Sequence, residues 1–194
     1  MAEVRTLKNE IREKFKPIRD EYTDEKRREY DEKIANRVIS SITFRHSQDI
    51  LFYASKEKEI DTWKIFEKAL DAGKNVYFPK CYDGGIMKYY LVKSKDELKS
   101  GEFGILEPTK LENEYSFSNI TSLCIVPALI FDKEGYRIGY GKGYYDRFLS
   151  KFKGVSVGLA YKELIQDRLP RGHFDRHVDI IVSDKGVYAI NADK

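Results

Sequence analysis

The apolar positions of the chain follow two periods in turn, and their alternation predicts the fold class. Val4, Leu7, Ile11 and Phe15 recur at intervals of three and four, a stripe that suits one face of a surface helix ending at Pro17. Thr23 suits an N-cap, with Asp24 and Glu25 well placed in the first turn of a helix that runs to about Ser41 and turns Tyr30, Ile34 and Val38 inward. Asp49 to Ala54 reads as a short apolar strand. Thr62 to Leu70 reads as a helix with Trp63, Phe66 and Leu70 on one face and Gly73 at its C-terminal end, and Val76 to Phe78 as a buried strand stopped by Pro79. Asp83-Gly-Gly85 predicts a turn into a strand from Ile86 to Val92, so this pair forms a hairpin. Gly101 to Pro108 is too broken by glycine and proline for a regular element. Leu123 to Val126 is the most apolar strand of the chain, with Val155 to Ala160 and Asp179 to Ser183 as two more. The alternation of strand and helix predicts an α/β fold, with a mostly parallel sheet flanked by helices on both faces.

One stretch does not fit either period. In Arg137-Ile-Gly-Tyr-Gly-Lys-Gly-Tyr-Tyr-Asp-Arg-Phe148, Gly139, Gly141 and Gly143 remove side chains from alternate positions, so consecutive backbone N–H groups can turn inward as an anion-binding concavity with Lys142 in it. Tyr145, Phe148, Leu149 and Phe152 follow at helical spacing, so the loop is expected to feed a helix N-terminus. The spacing excludes two familiar phosphate loops. A dinucleotide fingerprint needs its third glycine one residue later, and a Walker A loop needs Ser or Thr after the lysine, where this chain has Gly143. A plain glycine-rich turn satisfies the same residues, and only the neighbouring cation, aromatics and carboxylate favour a ligand.

Length and charge narrow the field without naming a ligand. The 194 residues suffice for one sizeable core, and nothing in the composition marks a second domain, so one domain over 1–194 is expected. A net charge of +3 does not suggest a dedicated nucleic-acid binder, yet leaves room for a local basic patch. No apolar run is long enough for a signal peptide or membrane span, so a cytoplasmic protein is expected. Cys81 and Cys124 have no partner at metal spacing and read as buried free thiols.

Four further features carry candidate chemistry. Lys8 and Arg12 lie one helical turn apart, either a clamp for an anion or two solvated cations on an amphipathic helix. Glu59 lies in a loop at the carboxyl end of a strand, where α/β proteins place ligands, although such a charged loop residue is more often simply solvated. Phe103, between two glycines, is either an aromatic that stacks on a flat ligand or a plug under a loop. The irregular segment from Leu169 to Asp179 carries the carboxylates Asp175 and Asp179.

Together these pieces resemble the 5-formyltetrahydrofolate cyclo-ligase (methenyltetrahydrofolate synthetase) family. The resemblance rests on Val126-Pro-Ala-Leu-Ile-Phe-Asp132 followed by Gly135-Tyr-Arg-Ile-Gly-Tyr-Gly-Lys-Gly-Tyr-Tyr-Asp-Arg147, supported by Lys8-Asn-Glu-Ile-Arg12, Glu59-Ile-Asp-Thr62, Gly104-Ile-Leu-Glu-Pro108 and the run from His173 to Asp179. It covers nearly the whole chain. It implies a fold like that of sugar-phosphate isomerases and CoA transferases. The implied reaction is ATP- and Mg²⁺-dependent conversion of 5-formyltetrahydrofolate to 5,10-methenyltetrahydrofolate, and a monomer is expected. By the same resemblance, Lys8, Arg12, Arg137 and the backbone from Gly139 through Tyr140, Gly141, Lys142, Gly143 and Tyr144 to Tyr145 meet ATP. Lys142 and Tyr144 are implied at the reacting groups, Glu59, Phe103 and Tyr144 at the folate, and Asp146 and Asp179 at Mg²⁺. Tyr140 departs from the pattern, since some members carry arginine there, which leaves a phosphate contact by its side chain open.

Two other readings compete. A cofactor-free sugar-phosphate isomerase shares the expected fold, but needs neither the paired carboxylates nor a nucleotide. A nucleic-acid module would use lysines, arginines and the fourteen tyrosines for phosphates and base stacking, against which the near-neutral charge argues.

Overall fold

The computed structural model describes residues 2–101 and 104–190. Its centre is a sheet in which β1 (Asp49–Leu51), β2 (Asn75–Tyr82), β6 (Ser122–Val126), β9 (Val155–Ala160) and β11 (Ile180–Ser183) run parallel. The antiparallel strands β3 (Ile86–Leu91) and β12 (Val187–Ala189) close its two edges, giving the order β12-β11-β9-β6-β1-β2-β3. All five residues of β6 are buried, as a central parallel strand covered on both faces requires. Alternate residues of its strands feed different cores. Leu123 and Ile125 join Ile50, Val76 and Phe78 under α1 (Ala2–Asp20), α2 (Asp24–Ser40), α3 (Ile42–His46) and α4 (Trp63–Asp71). Cys124 and Val126 join Leu51, Tyr89 and Phe148 on the opposite face, beneath α5 (Tyr144–Leu149). The expected mostly parallel α/β sheet with helices on its faces is therefore what the chain forms.

Local chemistry accounts for most element ends. Thr23 caps α2, its side chain accepting from Lys26 N at 3.2 Å. Helix α4 ends through Gly73 at φ 67°, with Lys74 N bonded to Ala69 O at 3.0 Å and Gly73 N to Leu70 O at 2.9 Å, so orphan carbonyls of the last turn are satisfied.

Several expectations need correction. Helix α1 runs through Pro17 to Asp20, and Glu21 N still bonds Pro17 O at 3.0 Å. Pro17 lies in the last turn, flanked by buried Phe15 and Arg19, and that packing outweighs its missing donor. Strand β2 likewise continues through Pro79 to Tyr82. Its parallel partner β1 pairs only from Asn75 to Tyr77, so the proline lies beyond that ladder and is opposed only by Tyr89 of β3. The segment read as irregular contains β5 (Leu106–Pro108), paired antiparallel to β4 (Leu98–Ser100), because Gly101 and Gly104 form the turn between two short strands rather than breaking one. Pairing in β1 stops at Leu51, with one more bond from Phe52 N to Tyr77 O at 2.9 Å, so residues 53 and 54 already belong to the loop. Burial in α4 falls on Ile65, Phe66 and Ala69, while Trp63 and Leu70 are half-buried at the edge. Cys124 is buried, but Cys81 is only half-buried, near the carboxyl end of β2.

Candidate active site

From β1 the chain moves outward to β2 on one side, whereas β6, β9 and β11 build outward on the other. The crevice beyond the carboxyl ends of β1 and β6 is thus the switch point at which open α/β sheets bind ligands. The loop after β1 carries Glu59. The segment after β6 first forms a small sheet of β7 (Ile130–Asp132), β8 (Arg137–Ile138) and β10 (Ile165–Gln166), so the glycine loop leaves β8 rather than the central strand itself. Asp132, fully buried, fixes this sheet. Its Oδ1 accepts from Glu134 N at 3.0 Å and Tyr136 N at 2.9 Å, and its Oδ2 from Leu169 N and Arg171 Nη2, both at 3.0 Å.

Within the loop, Gly141 at φ 86° and Gly143 at φ 70° occupy the left-handed region that glycine alone adopts freely. Gly143 is the residue from which α5 starts. Helix α1 lies on the loop. Arg12 donates its Nε–H to Gly139 O at 2.6 Å and its Nη1–H to Asn9 Oδ1 at 2.6 Å, and a Cβ at Gly141 would come within 3.2 Å of Arg12 Nη2. Burial, followed by the Arg5 charge, pulls the Arg12 guanidinium pKa down, and Asp175 opposes this. One turn earlier, Lys8 pairs with Asp175, which also accepts from Gly172 N at 2.6 Å. Lys8 and Arg12 are therefore not solvated cations on a free face. They join the helix to the glycine loop and to the segment before β11.

Across the crevice, the Tyr140 hydroxyl donates to Glu59 Oε1 at 2.7 Å, while Glu59 Oε2 accepts from Lys56 N at 3.0 Å. Desolvation of the hydroxyl and then the Glu59 charge push the Tyr140 pKa up to about 12. The side chain of Tyr140 thus serves Glu59, and its backbone the loop.

The carboxylates occupy separate settings. Asp146 Oδ1 accepts from Arg137 Nη2 at 3.0 Å and Arg176 N at 3.1 Å, and Arg137, its side chain only 5% exposed, also donates to Arg176 O at 2.5 Å. Asp179 Oδ2 accepts from Ser156 N at 2.7 Å and Ser156 Oγ at 2.6 Å. Among the described residues, no three His, Cys, Asp or Glu side chains form a group able to hold a metal ion.

Lys142 is exposed on the loop. The Tyr144 hydroxyl reaches Tyr82 O at 3.4 Å, whereas the Tyr145 hydroxyl turns inward and accepts from the Tyr89 hydroxyl at 3.4 Å, leaving only its backbone to the loop. Burial pushes the pKa of the neighbouring Cys124 thiol up to about 12. Phe103 lies outside the described residues.

Sequence reasoning passed over three participants, namely Asn9 against Arg12, Ser156 against Asp179, and Arg147. The last stands inside the glycine signature, and only its neighbours in space reveal its contacts.

Comparisons with known proteins identify the family and the fold. The sequence profile described as the 5-formyltetrahydrofolate cyclo-ligase family matches residues 4–184. A probable 5-formyltetrahydrofolate cyclo-ligase of Caenorhabditis elegans is 30% identical over 94% of this chain and 95% of its own length. The 5-formyltetrahydrofolate cyclo-ligase of Haemophilus influenzae is 29% identical over 87% of this chain and 92% of its own. The solved structure of Aquifex aeolicus 5,10-methenyltetrahydrofolate synthetase superposes with a TM-score of 0.85 at 35% identity, covering 97% of this chain and 95% of that one. The chain, with its glycine loop and Glu59 facing each other across the switch point of its sheet, belongs to the 5-formyltetrahydrofolate cyclo-ligase family.

Proposed function

We propose that this chain converts 5-formyltetrahydrofolate to 5,10-methenyltetrahydrofolate at the expense of ATP, releasing ADP and phosphate. Beside the family membership, one observation carries the reading. Helix α1 and the loop after β1 are both joined to the glycine loop, by Arg12 to Gly139 O and by Tyr140 to Glu59, so a phosphate site and a folate site would share one short segment.

The chemistry explains why a nucleotide is needed. An N5-formyl group is amide-like, so its carbon is a weak electrophile and its oxygen cannot leave as oxide. Transfer of the γ-phosphoryl group to that oxygen converts it into a leaving group. N10 then attacks the carbon and loses its proton to solvent, the C–O bond breaks, and phosphate departs as the ring closes. The protein's work is positioning and charge neutralisation.

In this reading the loop N–H groups from Gly139 to Tyr145 hold the phosphates, Lys8 and Arg12 close over them from α1, and Arg137 keeps Asp146 in place. Lys142 offsets the charge of the transferring group. Glu59 accepts from the amino-pyrimidinone edge of the pterin, Tyr144 orients the formyl end, and Phe103 stacks on the ring system. Asp146 and Asp179 are the residues that would hold Mg²⁺. The donor set fits, since both are hard oxygen ligands whose protein contacts run through a single oxygen each, and Mg²⁺ commonly takes only one or two carboxylates beside phosphates and waters. When bound, the ion would neutralise charge on the phosphate oxygens.

Purified protein mixed with 5-formyltetrahydrofolate, ATP and Mg²⁺ should develop the near-ultraviolet absorbance of the methenyl product, and omission of ATP should abolish it. Absence of any absorbance change in the complete mixture would refute the proposal. Among the described residues no helix is long and apolar enough to cross a membrane.

A further inference from the structure

We infer that Arg147 is a positioning residue for the glycine loop, gripping it from outside so that the Gly143 N–H is aimed away from the arginine and toward the phosphates. The inference rests on the proposed ATP site and adds a residue that the comparisons do not assign.

Arg147 contacts two separate pieces of backbone. Its Nε–H donates to Gly85 O at 2.8 Å, in the turn between β2 and β3, and its Nη2–H donates to Lys142 O at 2.7 Å, in the glycine loop. The guanidinium also lies over the Tyr144 ring, 5.7 Å from its centroid. Both glycines beside it sit at positive φ and leave the guanidinium its room. A Cβ at Gly143 would stand 3.1 Å from Arg147 Nη1, and a Cβ at Gly85, itself at φ 75°, would overlap the guanidinium. Tyr144 reaches the same turn through Tyr82 O, so two side chains at the start of α5 join the loop to the hairpin.

The consequence follows from peptide geometry. In a planar trans peptide the C=O and the next N–H point in opposite directions. Fixing Lys142 O on Arg147 therefore fixes the Gly143 N–H on the far side. Arg12 does the same three residues earlier, because holding Gly139 O turns the Tyr140 N–H away from Arg12. Two arginines, from α1 and α5, thus set the peptide orientations of a loop whose glycines would otherwise leave them soft. A planar fork can hold two carbonyls at once, and lysine cannot reproduce it.

The test compares Arg147→Gln, Arg147→Lys, Gly85→Ala and the double variant Arg147→Gln/Gly85→Ala in steady-state assays, with thermal unfolding of each. Arg147→Gln should lower kcat by about 10- to 100-fold, the cost of a small misplacement of reacting groups. Its KM for ATP should rise and its KM for 5-formyltetrahydrofolate should stay within about 2-fold, with an unfolding midpoint close to that of the wild type. Arg147→Lys should not rescue it. Gly85→Ala, which displaces the guanidinium, should cause a similar loss alone and little further loss on top of Arg147→Gln, because both remove one grip. Wild-type rates in Arg147→Gln or Arg147→Lys would overturn the inference, as would losses that multiply in the double variant. So would a fall in unfolding midpoint accompanied by equal rises in both KM values. An inactive wild type would instead refute the ATP-site proposal itself.

Discussion

Two aspartates of the same signature segment, Asp132 and Asp146, show how differently one residue type is used a short distance apart. Asp132 is fully buried, and both its oxygens are taken by four protein donors that knit the small sheet to the segment after β10. Asp146 is partly exposed at the start of α5, and its two protein donors share Oδ1. Saturated protein contacts mark a structural carboxylate. A carboxylate held by one oxygen leaves the other open to solvent or to a ligand.

That contrast can be broken most sharply by Asp132→Asn and Asp146→Asn. In Asp132→Asn an amide NH₂ would face N–H donors and Arg171 would lose its buried partner, so stability should fall by about 3–5 kcal/mol and the unfolding midpoint by about 10 °C. Asp146→Asn keeps an oxygen for both donors of Oδ1 and loses only the charge facing Arg137, whose side chain is 5% exposed, so its midpoint should fall by clearly less than that of Asp132→Asn. Its Mg²⁺ requirement should instead rise at least as much as loss of a ligand's supporting partner causes, about 10- to 100-fold, read from the rate against Mg²⁺ concentration. A collapse of stability in Asp146→Asn, or its absence in Asp132→Asn, would erase the distinction.

Lys142→Ala probes the exposed side of the loop. If its ammonium acts on the transferring group, kcat should fall by about 100- to 1,000-fold while the folate KM changes little. An equal loss in both would indicate a collapsed loop.

A smaller effect separates the active-site loop from its support. Burial raises the Asp31 pKa to about 6, although the Tyr161 hydroxyl donates to it at 2.8 Å. The folded value therefore lies above the unfolded one. Stability is unaffected while Asp31 is protonated in both states, below about pH 4, and is lost as pH rises toward and through about 6. Asp31→Asn removes the titration, so its stability relative to wild type should improve by about 2–3 kcal/mol between about pH 4 and 7, measured by urea unfolding. A difference that is the same at both pH values would contradict this.

Much of the fold was legible because local chemistry and burial agree. The Thr23 cap, the Gly73 terminator and the continuous apolar run of β6 each announce themselves within a few residues. Pro17 and Pro79 misled because a proline's cost depends on whether its missing donor had a partner, which is a tertiary fact. The short β4–β5 pair was hidden for a related reason, since glycines that break one strand can equally join two. In the site, the glycine loop was legible as a ligand type. The pairs that build it were not, because Lys8 with Asp175, Arg12 with Gly139 and Tyr140 with Glu59 are distant in sequence, and periodicity carries no information about them. Arg147 was in plain view within the motif, but its second anchor, Gly85, lies beside it only in space.

In the proposed reaction the formyl oxygen leaves on phosphate. This is tested most directly by running the reaction on 5-formyltetrahydrofolate carrying ¹⁸O in the formyl group and analysing the released phosphate by mass spectrometry. The label should appear in inorganic phosphate in step with the methenyl product. Label recovered in water, with unlabelled phosphate, would contradict it.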